Sequence, residues 1–183
     1  MSRRLIIGLL IILVLMAYTN QPSYSEDFIE VVKVLEIPEP PSIICEVPLS
    51  EDLQQYTYDT CADYNIRQHY KLIMAVMWQE SNFNPSAISS TSDYGIMQIN
   101  KCNHKWLSSS LGVDNFLDPK QNIECGIYMM SRLLLKYQDV SKALMAYNLG
   151  EGGAAKLWKQ NIYSTRYSRA ILDKQNLIKQ EDI

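Results

Sequence analysis

Apolar residues recur at helical spacing along much of the chain, and the residues that interrupt them are turn formers. Between Tyr70 and Ser81, Leu72, Ile73, Val76 and Met77 fall on one stripe, which predicts a helix pressed into a core. Pro85 cannot extend it, and Asn84 just before the proline is pushed toward extended geometry. Upstream, Ser50 is placed to cap a helix whose first turn holds Glu51 and Asp52. Leu53, Tyr56, Thr57, Thr60, Cys61 and Tyr64 continue it until Asn65 and Ile66 break the pattern.

Downstream, Ser86 to Asp93 is a polar loop, and Tyr94 to Asn100 is strand-like by composition but too short to support a core alone. Asn103 to Ser110 reads as a short helix with Trp106 and Leu107 inward, closed by Gly112. Asp118 and Pro119 give a helix start, with Gln121 where a capping-box partner belongs. Ile123, Ile127, Met130, Leu133, Leu134 and Tyr137 then recur as the face of a long amphipathic helix. Gly126 within it costs about 1 kcal/mol relative to Ala, which predicts close helix packing at that point. Val140 to Asn148 forms another helix, ended by Leu149 and Gly150, with Gly152 and Gly153 expected to permit a sharp reversal. Lys156 to Trp158 and Ser164 to Leu177 supply the last helical segments, with Tyr167, Ala170, Ile171 and Gln175 along one side. The polar stretch from Lys174 onward is expected to fray.

The 183 residues suffice for one domain of ordinary size plus an appendage. Hydrophobic content of 47% and charged content of 20% are globular values, and a net charge of -3 leaves no basic stripe for nucleic acid. Arg3 and Arg4 precede an apolar stretch, Leu5 to Ala17, that is short for a membrane span and well sized for a secretory signal. Residues 1–25 are therefore expected to be a signal peptide, cleaved near Ser23-Tyr24-Ser25, or else an anchor held by residues 5–18. Either way the remainder is exported, to the periplasm, the cell wall or the extracellular space, and touches a membrane only through an uncleaved N-terminal segment. Pro38, Pro40, Pro41 and Pro48 make 26–49 a proline-containing tether, with an ordered arm bearing Ile43, Ile44 and Cys45 as the alternative. The domain proper is 50–183.

Cys45, Cys61, Cys102 and Cys125 are even in number and form no C-x-x-C pair, so three disulfide pairings are open. Cys45 with Cys61 and Cys102 with Cys125 is the pairing we expect. His69 and His104 have no acidic partner at ligand spacing, so neither a metal nor a cofactor is implied.

The chemistry concentrates in AVMWQESNFNPSAISSTSDYGIMQIN, residues 75–100. Glu80 falls in the last turn of a mostly apolar helix. The helix dipole disfavours an anion at that end and partial burial disfavours it further, so the carboxyl should hold its proton. A lone Glu at a helix end is ordinarily a solvated residue, and the residues on the C-terminal side of this one change the reading. Ser81, Asn-Phe-Asn-Pro, Ser89 and Gly95-Ile96-Met97-Gln98 come after it without insertion.

This run resembles the goose-type lysozyme and lytic transglycosylase family, whose motif reads Glu-Ser, an aromatic, Asn-Pro-x-Ala, a Ser, then Gly-hydrophobe-Met-Gln. AYNLG at Ala146 to Gly150 is similar to the family's Ala-Tyr-Asn-x-Gly motif, and NIECGIYMM to its helix behind the site. The resemblance covers Asn65 to Tyr167. It implies an all-α domain of the lysozyme-like superfamily, with a two-lobed cleft and little or no sheet, that binds peptidoglycan glycan strands. The implied reaction cleaves the bond between N-acetylmuramic acid and N-acetylglucosamine, leaving a 1,6-anhydro-muramyl end, with Glu80 as sole acid and base. The implied substrate-binding residues are Ser89, Met97, Gln98, Tyr147 and Asn148, with the Tyr147 hydroxyl approaching the catalytic carboxylate and Met97 and Phe83 walling it off from water.

SDYGIMQIN is also similar to the chicken-type lysozymes, which makes Asp93 a second carboxylate in a hydrolytic alternative. Asp93 is equally read as a turn cap. A non-catalytic wall-binding component of a secretion, conjugation or phage machine is the remaining alternative, and a missing acid would mark it.

Overall fold

The computed structural model describes residues 43–179. The signal or anchor assigned to residues 1–25 and most of the tether lie outside the described residues. The described chain contains six α-helices: α1 (Glu51–Asp63), α2 (Tyr70–Ser81), α3 (His104–Leu111), α4 (Pro119–Tyr137), α5 (Val140–Trp158) and α6 (Arg166–Leu177). A two-stranded sheet, β1 (Asp93–Tyr94) and β2 (Ile99–Asn100), falls between α2 and α3. This is the all-helical architecture with minimal sheet that the resemblance implies.

α2 is the centre. Leu72 through Met77 are all buried, so this helix is surrounded rather than striped, and it lies mainly against α6. No charge interrupts those six residues, which leaves no face suited to water. Burial of each large side chain there stabilises the fold by about 1.5–3 kcal/mol. The helix closes before Pro85 can act: Asn82 and Phe83 adopt left-handed conformations, φ 53° and 63°, and their N–H groups donate to the Trp78 and Met77 carbonyls. Glu80 is thereby held in the final turn, as expected.

Strand character is confined to the ends of Asp93–Asn100, which form a hairpin pairing Asp93 with Asn100 and Tyr94 with Ile99. Gly95 at φ 75° and Gln98 at φ 49° turn the chain between them. A Cβ on Gly95 would collide with the Asn122 amide and lie 2.8 Å from the Phe116 carbonyl oxygen. The close approach expected at Gly126 is real, but its partner is the Met97 side chain in the hairpin turn, not a helix.

Ser50 and Asp118 cap α1 and α4 through their side chains. Gln121 forms no capping box. Its Oε1 accepts from the Asp114 and Asn115 N–H groups at 2.9 and 3.0 Å and so fastens the loop before α4. Gly152 and Gly153 reverse nothing, because both are helical, and α5 breaks instead at Gly150, φ 67° and ψ 157°. The last residues of the segment expected to be a tether lie against α1: the buried Gln54 amide accepts from the Cys45 N–H at 2.7 Å and donates to the Leu49 carbonyl at 2.9 Å. All four cysteines are free thiols, three of them buried and Cys102 exposed, so neither expected disulfide is formed.

Candidate active site

Glu80 leaves the end of α2 at a point where other parts of the chain converge. From α6, the Tyr167 hydroxyl donates a hydrogen bond to Glu80 Oε1. A capping box between Thr165 and Ser168 fixes where α6 begins and therefore where Tyr167, in its first turn, points. From the side, Ser81 Oγ donates to the Ile96 carbonyl at 2.8 Å and binds the hairpin to α2. Burial pushes the Glu80 carboxyl up to about 7; the Tyr167 hydrogen bond opposes that rise and the Asp93 charge adds to it.

Asp93 sits in the opposite environment. Its Oδ2 accepts from the hydroxyls of Ser89 and Thr91, and its Oδ1 from Asn100 Nδ2 at 2.7 Å. Burial alone would raise this carboxyl, but the three side-chain donors outweigh it and hold Asp93 below the ordinary value, hence ionised.

The hairpin turn rests on a residue that the spacing pattern alone does not single out. Asn122, fully buried on α4, accepts from the Met97 N–H at 2.8 Å and donates to the carbonyls of Tyr94 and Phe116, each at 2.8 Å. Its signal was present: a polar residue on the inward side of an amphipathic helix, beside Ile123 and Gly126.

Glu80 and Asp93 both line one open cleft of about 1190 Å³, together with residues of the hairpin, α3, α4 and α5. Of the residues expected to bind substrate, Gln98, Tyr147 and Asn148 line it, while Ser89 and Met97 do not. Ser89 is instead occupied in the loop, donating to Asp93 and accepting from the N–H groups of Thr91 and Asp93. Met97 is fully buried behind the lining. Phe83 is also outside the lining, tilted against Trp78 with ring centroids 6.5 Å apart. The Tyr147 hydroxyl donates to the Met97 carbonyl at 2.9 Å, and the donor to Glu80 is Tyr167, which the spacing had placed on the inward side of its helix without a role. Gln98 Nε2 donates to the Ala87 and Gly95 carbonyls, at 3.2 and 2.8 Å, which anchors the amide at the cleft wall. Among the described residues no three His, Cys, Asp or Glu side chains gather where they could hold a metal ion, and no helix is long and apolar enough to cross a membrane.

Fold and cleft together define a helical, lysozyme-like domain with a half-buried acid opening on a groove. The chain belongs to the Transglycosylase SLT domain family, whose model matches residues 61–170, more than half of it. It is 38% identical over 121 residues to the membrane-bound lytic murein transglycosylase F 1 of Alkalilimnicola ehrlichii, a match covering 61% of this chain and 24% of that protein. It is also 38% identical over 93 residues to the transglycosylase of Enterobacteria phage PRD1, covering 51% of this chain and 33% of that one. The chain thus spans about a quarter to a third of the length of these relatives. The solved structure of an inactive Glu-to-Gln variant of the lytic transglycosylase Slt from Pseudomonas aeruginosa superposes with a TM-score of 0.59 at 20% identity, over 71% of this chain and 24% of that one. That likeness concerns the fold.

Proposed function

We propose that this chain is a peptidoglycan lytic transglycosylase and that Glu80 is its single acid and base. The observation that carries the reading is a carboxyl held near neutrality by burial at the wall of an open cleft of about 1190 Å³. A group poised there can both give and take a proton at physiological pH.

In the first half of the reaction, protonated Glu80 delivers its proton to the glycosidic oxygen between N-acetylmuramic acid and N-acetylglucosamine as the C1–O bond breaks. The muramyl acetamido oxygen shields the cationic C1, so no protein nucleophile is required. In the second half, the Glu80 carboxylate removes the proton of the muramyl 6-hydroxyl, whose oxygen bonds to C1 and closes the 1,6-anhydro ring. Glu80 ends protonated, as it began. Tyr167 orients the carboxyl through its hydroxyl, Gln98, Tyr147 and Asn148 flank the bound strand, and Asp93 ties the hairpin together.

Hydrolysis by Glu80 with Asp93 is the second reading, favoured by an ionised Asp93 on the same cleft. Against it, three donors already occupy the Asp93 oxygens and direct them into the hairpin. Digestion of purified peptidoglycan separates the two. Anhydro ends, one water lighter than reducing ends, are expected by mass spectrometry, and exclusively reducing ends would reject the transglycosylase. The name of the membrane-bound murein transglycosylase relative supports an envelope location, and the phage PRD1 transglycosylase is the relative that supports service in a phage machine.

A further inference from the structure

Met129, Arg132, Leu133 and Lys136 form one stripe of α4 along the cleft, at the spacing of a single helical face. Arg132 and Lys136 are the two cations of the cleft lining, and they differ. Lys136 is neutralised: it pairs with Glu151 Oε2, which also accepts from the Tyr137 hydroxyl. Arg132 has no carboxylate within ion-pair distance among the described residues.

Its guanidinium is nevertheless held in place. The guanidinium carbon lies 5.9 Å from the Trp106 ring centroid and 5.5 Å from that of Tyr128, and Nη1 donates to the Tyr128 hydroxyl at 3.0 Å. The two rings lean on each other at 5.8 Å where α3 meets α4, and Trp106 is fixed in turn by Nε1 donating to Asn103 Oδ1 at 3.1 Å. An arginine stacked on two aromatic rings with most of its N–H fork unused loses little entropy on meeting a planar anion, so it is a ready carboxylate receptor. The ionised Asp93 and Glu151 on the same lining repel such an anion, and Glu151 also feels the Arg132 charge, so the attraction has to come from Arg132, the one cation of the lining without an ion pair among the described residues.

The glycan backbone is uncharged, whereas the peptide stems on its muramyl residues carry free carboxylates. The geometry points to Arg132 as a specificity residue that pairs with a stem-peptide carboxylate while the glycan lies along the cleft, so that the enzyme prefers stem-bearing over stripped strands. This inference rests on the proposed peptidoglycan activity.

The test compares the chain and its Arg132→Gln variant on two substrates: intact peptidoglycan, and the same material stripped of stems by a muramoyl-alanine amidase. An exposed, pre-oriented ion pair corresponds to about a 5-fold change in affinity, so Arg132→Gln should raise KM about 5-fold on the stem-bearing substrate with kcat little changed. On stripped strands the variant should match the parent. Arg132→Lys, which keeps charge but loses the fork, should recover part of the effect. Blocking the stem carboxylates with carbodiimide and glycinamide should lower the parent to the level of Arg132→Gln. Equal KM values for parent and Arg132→Gln on intact peptidoglycan, or an equal loss on both substrates, would overturn the stem-carboxylate assignment while leaving the cleavage activity intact. No cleavage of either substrate by the parent would remove the activity itself, and this inference with it.

Discussion

Glu80 ends a helix whose residues from Leu72 to Met77 are all buried, whereas Asp93 opens a two-residue strand beside an exposed Ser- and Thr-rich loop. Both carboxyls line the same cleft, yet burial keeps one protonated near neutrality and three side-chain donors keep the other ionised. The difference lies in how many donors accompany each loss of water. Glu80 is withdrawn from solvent with one hydroxyl as its partner, so desolvation wins. Asp93 loses less water and gains three donors, so hydrogen bonding wins. Burial and hydrogen-bond donors thus suffice to make one carboxyl of the cleft an acid and the other an anion.

The most severe way to break that comparison is Glu80→Gln. It removes the proposed proton donor while preserving shape, and cleavage should fall by roughly 10²–10⁴-fold, read by release of soluble fragments from peptidoglycan. The same variant should be more stable than the parent above neutral pH. A carboxyl raised from 4.5 to about 7 on folding favours the folded state while protonated, and that advantage is lost as pH climbs through this window. The Tm difference between Glu80→Gln and the parent should therefore grow from pH 4 to pH 8, reaching the equivalent of roughly 3 kcal/mol. A difference independent of pH would mean that Glu80 titrates normally.

Next in size is Asn122→Ala, which strands the Met97 N–H and the Tyr94 and Phe116 carbonyls in the interior. Unsatisfied buried groups and the vacated volume should lower stability by roughly 2–4 kcal/mol in chemical denaturation. Activity should drop beyond what lost folding explains, because the hairpin that carries Asp93 and Gln98 loses its support.

The finest probe is a pair of substitutions with opposite signs. Tyr167→Phe removes the hydrogen bond that lowers the Glu80 carboxyl, so the alkaline limb of kcat/KM should move to higher pH. Asp93→Asn removes the charge that raises it, so that limb should move to lower pH. Under the transglycosylase reading Asp93→Asn retains anhydro products with about a 10-fold loss or less, well short of a missing acid. Loss on the scale of Glu80→Gln would make Asp93 a reacting group. Limbs moving in the same direction would refute the account of how the two carboxyls are set.

Much of this molecule is legible in its residues. The span of α2, the caps at Ser50 and Asp118, the left-handed Gly112 closing α3 and the position of Glu80 in a final turn all follow from local rules, because spacing, capping and turn chemistry act within a few residues. What local rules missed were choices among partners. Gln121 suits a capping box, yet the preceding loop supplied two N–H groups that needed an acceptor more. Gly126 announced a close approach, but the partner is the Met97 side chain and not the helix expected, and Gly150 rather than Gly152-Gly153 took the backbone strain of α5.

From its own order of residues, then, the chain determined that an acid would stand at the dry end of a central helix and that a Gly-turned segment would come after it. Only the tertiary structure decided that Tyr167 rather than Tyr147 bonds to that acid, that Ser89 serves Asp93 rather than the cleft, and that Asn122 underpins the turn. The physical reason is range. Helix formation and capping are settled by neighbours in sequence, whereas a side-chain hydroxyl or amide bonds to whichever group packing brings within about 3 Å, and that depends on elements far apart in the chain.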